Sequence, residues 1–157
     1  MQKKIKIETF ELSYELSCLK QIEELQKNNI GEINNIWKAE EIEKFLSKNN
    51  SLGILARLQD KIIGFSLFLN TGNALDIFII FVAPKYRRAG IGKKFLKKAI
   101  SYCTKKLIKK ILLEVNKNNK SAFMFYKNLG FKKIGLREKY YSINGNFFDA
   151  YLMQLLL

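Results

Sequence analysis

At 157 residues with 48% apolar side chains, among them twelve Phe, seven Tyr and one Trp, the chain is long enough for one domain with a real core and is not a disordered segment. It has no histidine, which excludes Ser-His-Asp and Cys-His catalysis, and its two cysteines alone give no basis for a metal site. The formal charge of +14 suits a polyanionic cofactor, nucleic acid or an acidic membrane surface, although lysine spread over the whole surface gives the same total.

Residues 5–13 alternate apolar and polar and predict a half-buried first strand. From 14 to 27 the period changes, with Leu16, Leu19, Ile22 and Leu25 on one helical face. A polar connection containing Gly31 leads to a second helix over 38–47, with Ile42, Phe45 and Leu46 inward. Trp37 stands just before it as a structural residue. Residues 51–58 and 62–70 predict a hairpin around Gln59-Asp60-Lys61, and 74–82 a third strand of the meander. A helix over 90–106 follows, lysine-rich outside, with Ile91, Phe95 and Ala99 on one face. Residues 108–115 are an apolar strand, parallel to its neighbour because a helix crosses between them. Asn118 or Asn119 caps a helix over 120–128, Gly130 ends it, and 131–143 and 147–157 pair around Asn144-Gly145.

The order is β-α-α-β-β-β-α-β-α-β-β, which predicts an α/β protein: one mixed, mostly antiparallel sheet with helices on both faces, as a single domain over 1–157. No apolar run reaches the length of a membrane span; the longest, 74–83, contains Asp76. The first residues, M-Q-K-K-I-K, lack an apolar signal core, so a cytoplasmic location is expected, with Cys18 and Cys103 as reduced packing residues.

The chemistry is anchored by I-F-I-I-F-V-A-P-K-Y-R-R-A-G-I-G, residues 77–92. A strand that feeds a glycine-bearing turn and a helix N-terminus builds an anion site, because the turn N–H groups and the helix dipole converge there. Gly90 and Gly92 lack a Cβ, so a phosphate group can approach the backbone, and Arg87, Arg88, Lys93 and Lys94 add charge. The loop is not a Walker A sequence, since Gly92-Lys93 is followed by Lys94, and it lacks the third glycine of a dinucleotide fingerprint. What remains is R-x-x-G-x-G, Arg87 to Gly92, a cradle for the pyrophosphate of a nucleotide-type cofactor.

This loop resembles the [QR]-x-x-G-x-[GA] coenzyme A loop of the GNAT superfamily of N-acetyltransferases, and the element order resembles the GNAT fold over the whole chain. L-L-E-V-N-K-N-N-K-S-A-F-M-F-Y-K-N-L-G-F (112–131) and R-E-K-Y-Y-S-I-N-G-N-F-F-D-A-Y-L-M (137–153) resemble the RimI-type branch, which acetylates N-termini of ribosomal proteins. The resemblance implies acetyl-CoA as co-substrate and no metal. It implies main-chain contacts to pantetheine from Ile80, Phe81 and Val82. It also implies a pyrophosphate loop of Arg87, Arg88, Ala89, Gly90, Ile91, Gly92 and Lys93, with a further cofactor contact from Asn119, which can equally serve only as a helix cap.

Acetyl transfer to an amine needs a proton acceptor, because an α-amine titrates near about 8 and a lysine near about 10.4. Glu114 ends an apolar strand beside the cofactor strand and fits that role, as the equivalent Glu does in RimI-type enzymes; the plain alternative is an ion pair with a lysine. Tyr126 matches the family's acid for the departing thiolate, although an unperturbed phenol is a weaker acid than a thiol. Tyr140, Tyr141 and Asp149 match the tail where the acceptor enters. The expected partner is a protein or peptide N-terminus, ribosomal proteins among the candidates, with no membrane or specific nucleic-acid partner and a monomer or homodimer as assembly. A small-amine acceptor (polyamine or aminoglycoside) and a non-catalytic RNA- or ribosome-binding module are the alternatives.

Overall fold

The computed structural model describes residues 4–10, 16–30 and 35–157. Ser13, Tyr14 and Gly31 of the predicted first strand, first helix and connection lie outside the described residues. The elements run β1 (Ile5–Phe10), α1 (Leu16–Lys27), α2 (Ala39–Leu46), β2 (Ser51–Leu58), β3 (Lys61–Asn70), β4 (Leu75–Val82), α3 (Ile91–Lys106), β5 (Lys110–Asn116), α4 (Lys120–Asn128), β6 (Lys132–Ile143) and β7 (Asn146–Leu156). The strands form one seven-stranded sheet in the order β1-β2-β3-β4-β5-β7-β6, antiparallel except between β4 and β5. The sheet is mixed and open, as the element order predicts, and its arrangement is that of the GNAT fold.

Helices cover both faces and divide the core in two. Phe95, Leu96, Ala99 and Cys103 of α3 and Tyr126 of α4 pack with Leu75, Ile77, Ile111 and Leu113. On the other face Leu19, Ile22, Ile42 and Phe45 of α1 and α2 pack with Phe65, Leu67 and Phe81. Gln26 is fully buried there, and both ends of its amide are used: Oε1 accepts from the Trp37 N–H at 2.8 Å, and Nε2 donates to the Trp37 carbonyl at 3.0 Å. That clamp fixes Trp37 against Phe45 and Phe78, with ring centroids 5.6 and 6.4 Å away. Cys18 and Cys103 are both buried, one in each core.

β5 starts two residues later than the apolar run beginning at Ile108 suggests. Ile108 belongs to the end of α3: its N–H donates to the Cys103 carbonyl at 2.9 Å, while Leu107 takes a left-handed conformation with φ 58°. Leucine thus fills the place that glycine ordinarily takes at a helix end.

The feature that shapes the site is a bulge in β4. Leu67 of β3 faces Ile79 and Phe68 faces Ile77, so Phe78 has no partner and is the extra residue. Side chains of a regular strand keep to one face every second residue. Across the bulge that rule breaks, since Leu75 and Ile77 lie in the α3 core but Ile79 and Phe81 in the α1–α2 core. Pairing of β4 with β5 ends at the same point, the last pair being Ile77 with Leu113. Beyond it the two parallel strands part and leave a fork.

Candidate active site

Glu114 is the first residue of β5 past the last pair with β4. Ile111, Leu113 and Val115 turn into the α3 core, so by alternation Glu114 points to the opposite face, at the fork. The predicted carboxylate is where the chemistry needs it, and it has an ion partner, though that partner is arginine rather than lysine. Nη2 of Arg137 on β6 lies 3.3 Å from Glu114 Oε1. The guanidinium also sits over the Tyr140 ring, 5.4 Å from its centroid.

Tyr140 and Tyr141 reach the site through a second distortion. Arg137 faces Ala150 and Tyr141 faces Phe148, so residues 138–140 bulge out against Asp149 alone. Lys139 takes φ 51° there, and its N–H donates to Asp149 Oδ1 at 3.1 Å. Asp149 Oδ2 lies 3.6 Å from Lys117 Nζ. Asp149 therefore pins the bulge that presents the two tyrosines. Their rings meet edge to face at 5.0 Å, and the Tyr141 hydroxyl donates to the main-chain carbonyl of Glu114 at 3.1 Å. Burial first, then Tyr140 and Glu114, push the Tyr141 phenol up to about 12.

Tyr126 of α4 is buried, its ring 5.1 Å from Phe125 and 5.5 Å from Phe131. Burial, reinforced by Tyr141, raises its phenol far above the ordinary value, so it stays protonated throughout the neutral range. Tyr141 is thus electrostatically linked to Tyr126 on one side and to Glu114 on the other.

On the β4 side of the fork, the Ala83 N–H donates to the Ile63 carbonyl of β3 at 3.0 Å. By alternation the amide groups of Ile80 and Val82 turn to the open side, where no strand pairs with them. Arg87 folds back on this edge, its Nε donating to the Val82 carbonyl at 3.0 Å. Arg88 (φ 61°) and Gly90 (φ 74°) then turn the chain into α3. Helix geometry leaves the N–H groups of Ile91, Gly92 and Lys93 without intrahelical acceptors; the first such bond is from Lys94 to the Gly90 carbonyl at 3.0 Å. A Cβ on Gly90 would meet nothing within 4 Å, so these donors open onto clear space, which fits a diphosphate. Gly92 differs from expectation: the Phe125 Cζ lies 2.8 Å from where its Cβ would stand, so the missing methyl admits the α4 ring as well. Asn119 caps α4, its Oδ1 accepting from the Ala122 N–H at 3.0 Å. Among the described residues no group of His, Cys, Asp and Glu is placed to hold a metal, and no helix is long and apolar enough to cross a membrane.

Two members of the site carry no motif. Arg137, within the tail segment, pairs with Glu114 from another strand. Asp76 shares the Glu114 face of the sheet; a lone acid in an apolar strand is the sequence signal that could have found it.

Residues 19–131 match the family described as Acetyltransferase (GNAT) family. An uncharacterized protein of Mycobacterium leprae is 31% identical over 76% of this chain, which spans 33% of its length. The N-alpha-acetyltransferase RimI of Mycobacterium tuberculosis is 26% identical, with 75% of this chain and 74% of the relative covered. The [ribosomal protein bS18]-alanine N-acetyltransferase of Escherichia coli is 30% identical over 60% of this chain and 64% of its own length. The crystal structure of the Escherichia coli ribosomal-protein-S18-alanine N-acetyltransferase superposes with a TM-score of 0.82 at 22% identity, covering 98% of this chain and 94% of that one. That of Arabidopsis thaliana NAA60 with acetyl-CoA does so at 0.83 and 19%, covering 98% and 99%. The chain belongs to the acetyltransferase (GNAT) family and is an N-acetyltransferase.

Proposed function

We propose that this enzyme acetylates the α-amine of a protein N-terminus, a ribosomal protein being the favoured acceptor. Acetyl-CoA supplies the activated acetyl thioester, and transfer is by direct attack in a ternary complex. Residues 1–157 act as one catalytic domain in the cytoplasm. The observation that carries the mechanism is the placement of Glu114 at the first unpaired position of β5, beside the open edge of β4.

The chain's own residues divide the work. The open amides of Ile80 and Val82, with Phe81 between them, hold the pantetheine arm as an added strand. Arg87 to Lys93 take the diphosphate, and the amide of Asn119 contacts the same ligand. Glu114 accepts the proton of the incoming amine, directly or through water, and Tyr126 protonates the departing sulfur. Tyr141 links those two groups, while Tyr140 and the Asp149-pinned bulge line the acceptor's path. The relatives named for ribosomal-protein alanine acetylation support a peptide acceptor. So does the engagement of Glu114 and Asp149 with Arg137 and Lys117, which leaves little uncompensated acid to attract a polycation.

Thiol release with a short peptide bearing a free N-terminal alanine, compared with spermidine, tests the acceptor. Mass spectrometry of ribosomal proteins from cells with and without the enzyme then names it. Turnover of spermidine with none of the peptide sinks the assignment.

A further inference from the structure

Asp76 faces Leu112 in the next-to-last pair before β4 and β5 part. Alternation puts it on the same face as Glu114, one step inward along the sheet. It is partly buried, and its Oδ1 is enclosed with no hydrogen-bond partner. A desolvated, unpartnered carboxylate oxygen costs a fold stability, and an apolar side chain would serve packing better at this point of a β-strand. The charged and titratable groups acting on it are Glu114 and Lys110 of β5 and Arg137 and Tyr140 of β6. Burial first, then repulsion by Glu114, raise its proton affinity against opposing pulls from Arg137 and Lys110.

We propose that Asp76 and Glu114 form one proton-accepting pair, in which Glu114 meets the acceptor's amine and Asp76, directly behind it, shares the proton received. The proposal rests on Glu114 being the base. Arg137 engages one oxygen of Glu114, and Asp76 supplies a second carboxylate to hold a proton. The exchange balances. The ammonium gives one proton to the pair, and the free amine attacks the thioester carbonyl. The C–N bond forms as the C–S bond breaks, and the sulfur takes a proton from Tyr126. The second nitrogen proton, lost as the amide forms, restores Tyr126, and the pair releases its proton to solvent.

The test compares wild type with Asp76→Asn, measuring kcat at saturating alanine peptide from about pH 5.5 to 9, together with the acetyl-CoA KM and Tm. The expected result is a kcat about tenfold or more lower, with the acetyl-CoA KM unchanged. Tm stays level or rises, because a desolvated charge is removed. The acidic limb of the profile moves to lower pH, because the group whose proton affinity is raised can no longer block turnover by protonating. An unchanged kcat, or a lower kcat with the limb unmoved, overturns the proposal. If Asn at this position prevents folding, Asp76→Ser, which cannot overpack the site, is judged by the same outcomes. If the wild type turns over spermidine but not the peptide, the acceptor assignment fails alone, and the variants are compared on spermidine by the same criteria.

Discussion

The Tyr141 hydroxyl donates to the main-chain carbonyl of Glu114 at 3.1 Å, so a residue on β6 fixes the strand position of the carboxylate on β5. These strands are not neighbours, because β7 lies between them. The phenol crosses over β7 and holds the outer strand to the fork. Removing only the hydroxyl, Tyr141→Phe, is expected to cost about 1 kcal/mol of stability. The looser carboxylate should lower kcat several-fold, read by thermal melts and thiol release on one preparation.

Glu114→Gln keeps the side chain's size and removes its capacity to take a proton. A kcat lower by about 10²-fold or more is expected, with acetyl-CoA affinity by calorimetry unchanged. Turnover at the wild-type rate would remove Glu114 from the mechanism.

Tyr126→Phe should be nearly silent in stability, because the contacts with Phe125 and Phe131 are made by the ring. Its effect is expected in kcat alone. Tyr126→Ala leaves a cavity between those rings and should cost about 3–5 kcal/mol. A Phe variant as active as wild type would make the tyrosine a packing residue.

The two glycines of the loop should fail differently. Gly90→Ala imposes a side chain at φ 74°, costing about 1–2 kcal/mol, and sets a methyl beside the helix donors, so acetyl-CoA binding should weaken. Gly92→Ala must move the Phe125 ring, which has an atom 2.8 Å from the new methyl. That overpacking should cost about 1–3 kcal/mol, appearing chiefly as a lower Tm. Melts and calorimetry on both variants separate the two effects.

Far from the site, Glu8 gives the fold an acid sensitivity. The Lys6 ammonium at 2.7 Å holds its carboxyl below the usual range, burial opposes, and Arg57, also at 2.7 Å, adds to the lowering. A depressed carboxylate contributes stability that is present above its unfolded value, near about 4.3, and is lost as pH falls through the lower folded value. Tm should therefore drop as pH is taken from about 5 to 3, and Glu8→Gln should flatten that drop. An identical slope in the variant would assign the sensitivity elsewhere.

Much of the architecture was legible in the sequence because its signals are local. The bounds of β2 and α4 follow from turn residues and from the Asn119 cap. Gly90, Glu114 and Tyr126 were legible because a motif or a spacing marks each. The fork was not, since its cause is a bulge inside I-F-I-I-F-V, where every residue is apolar and both sheet faces are buried. No alternation was available to break. The Arg137–Glu114 pair was hidden for another reason: strand pairing through β7 brings the two together, and neither local period nor motif encodes it.

The unpaired Phe78 also bears on what changes β4 can survive. Its two halves serve opposite cores only because one residue is counted twice on the way past β3. Exchanging one apolar side chain for another there leaves that count intact. Losing a single residue would rotate Ile79 and Phe81 out of the core beneath α1 and α2 and close the gap beside Glu114. Drift among similar side chains is thus tolerated in this segment, whereas a one-codon deletion would unmake the enzyme.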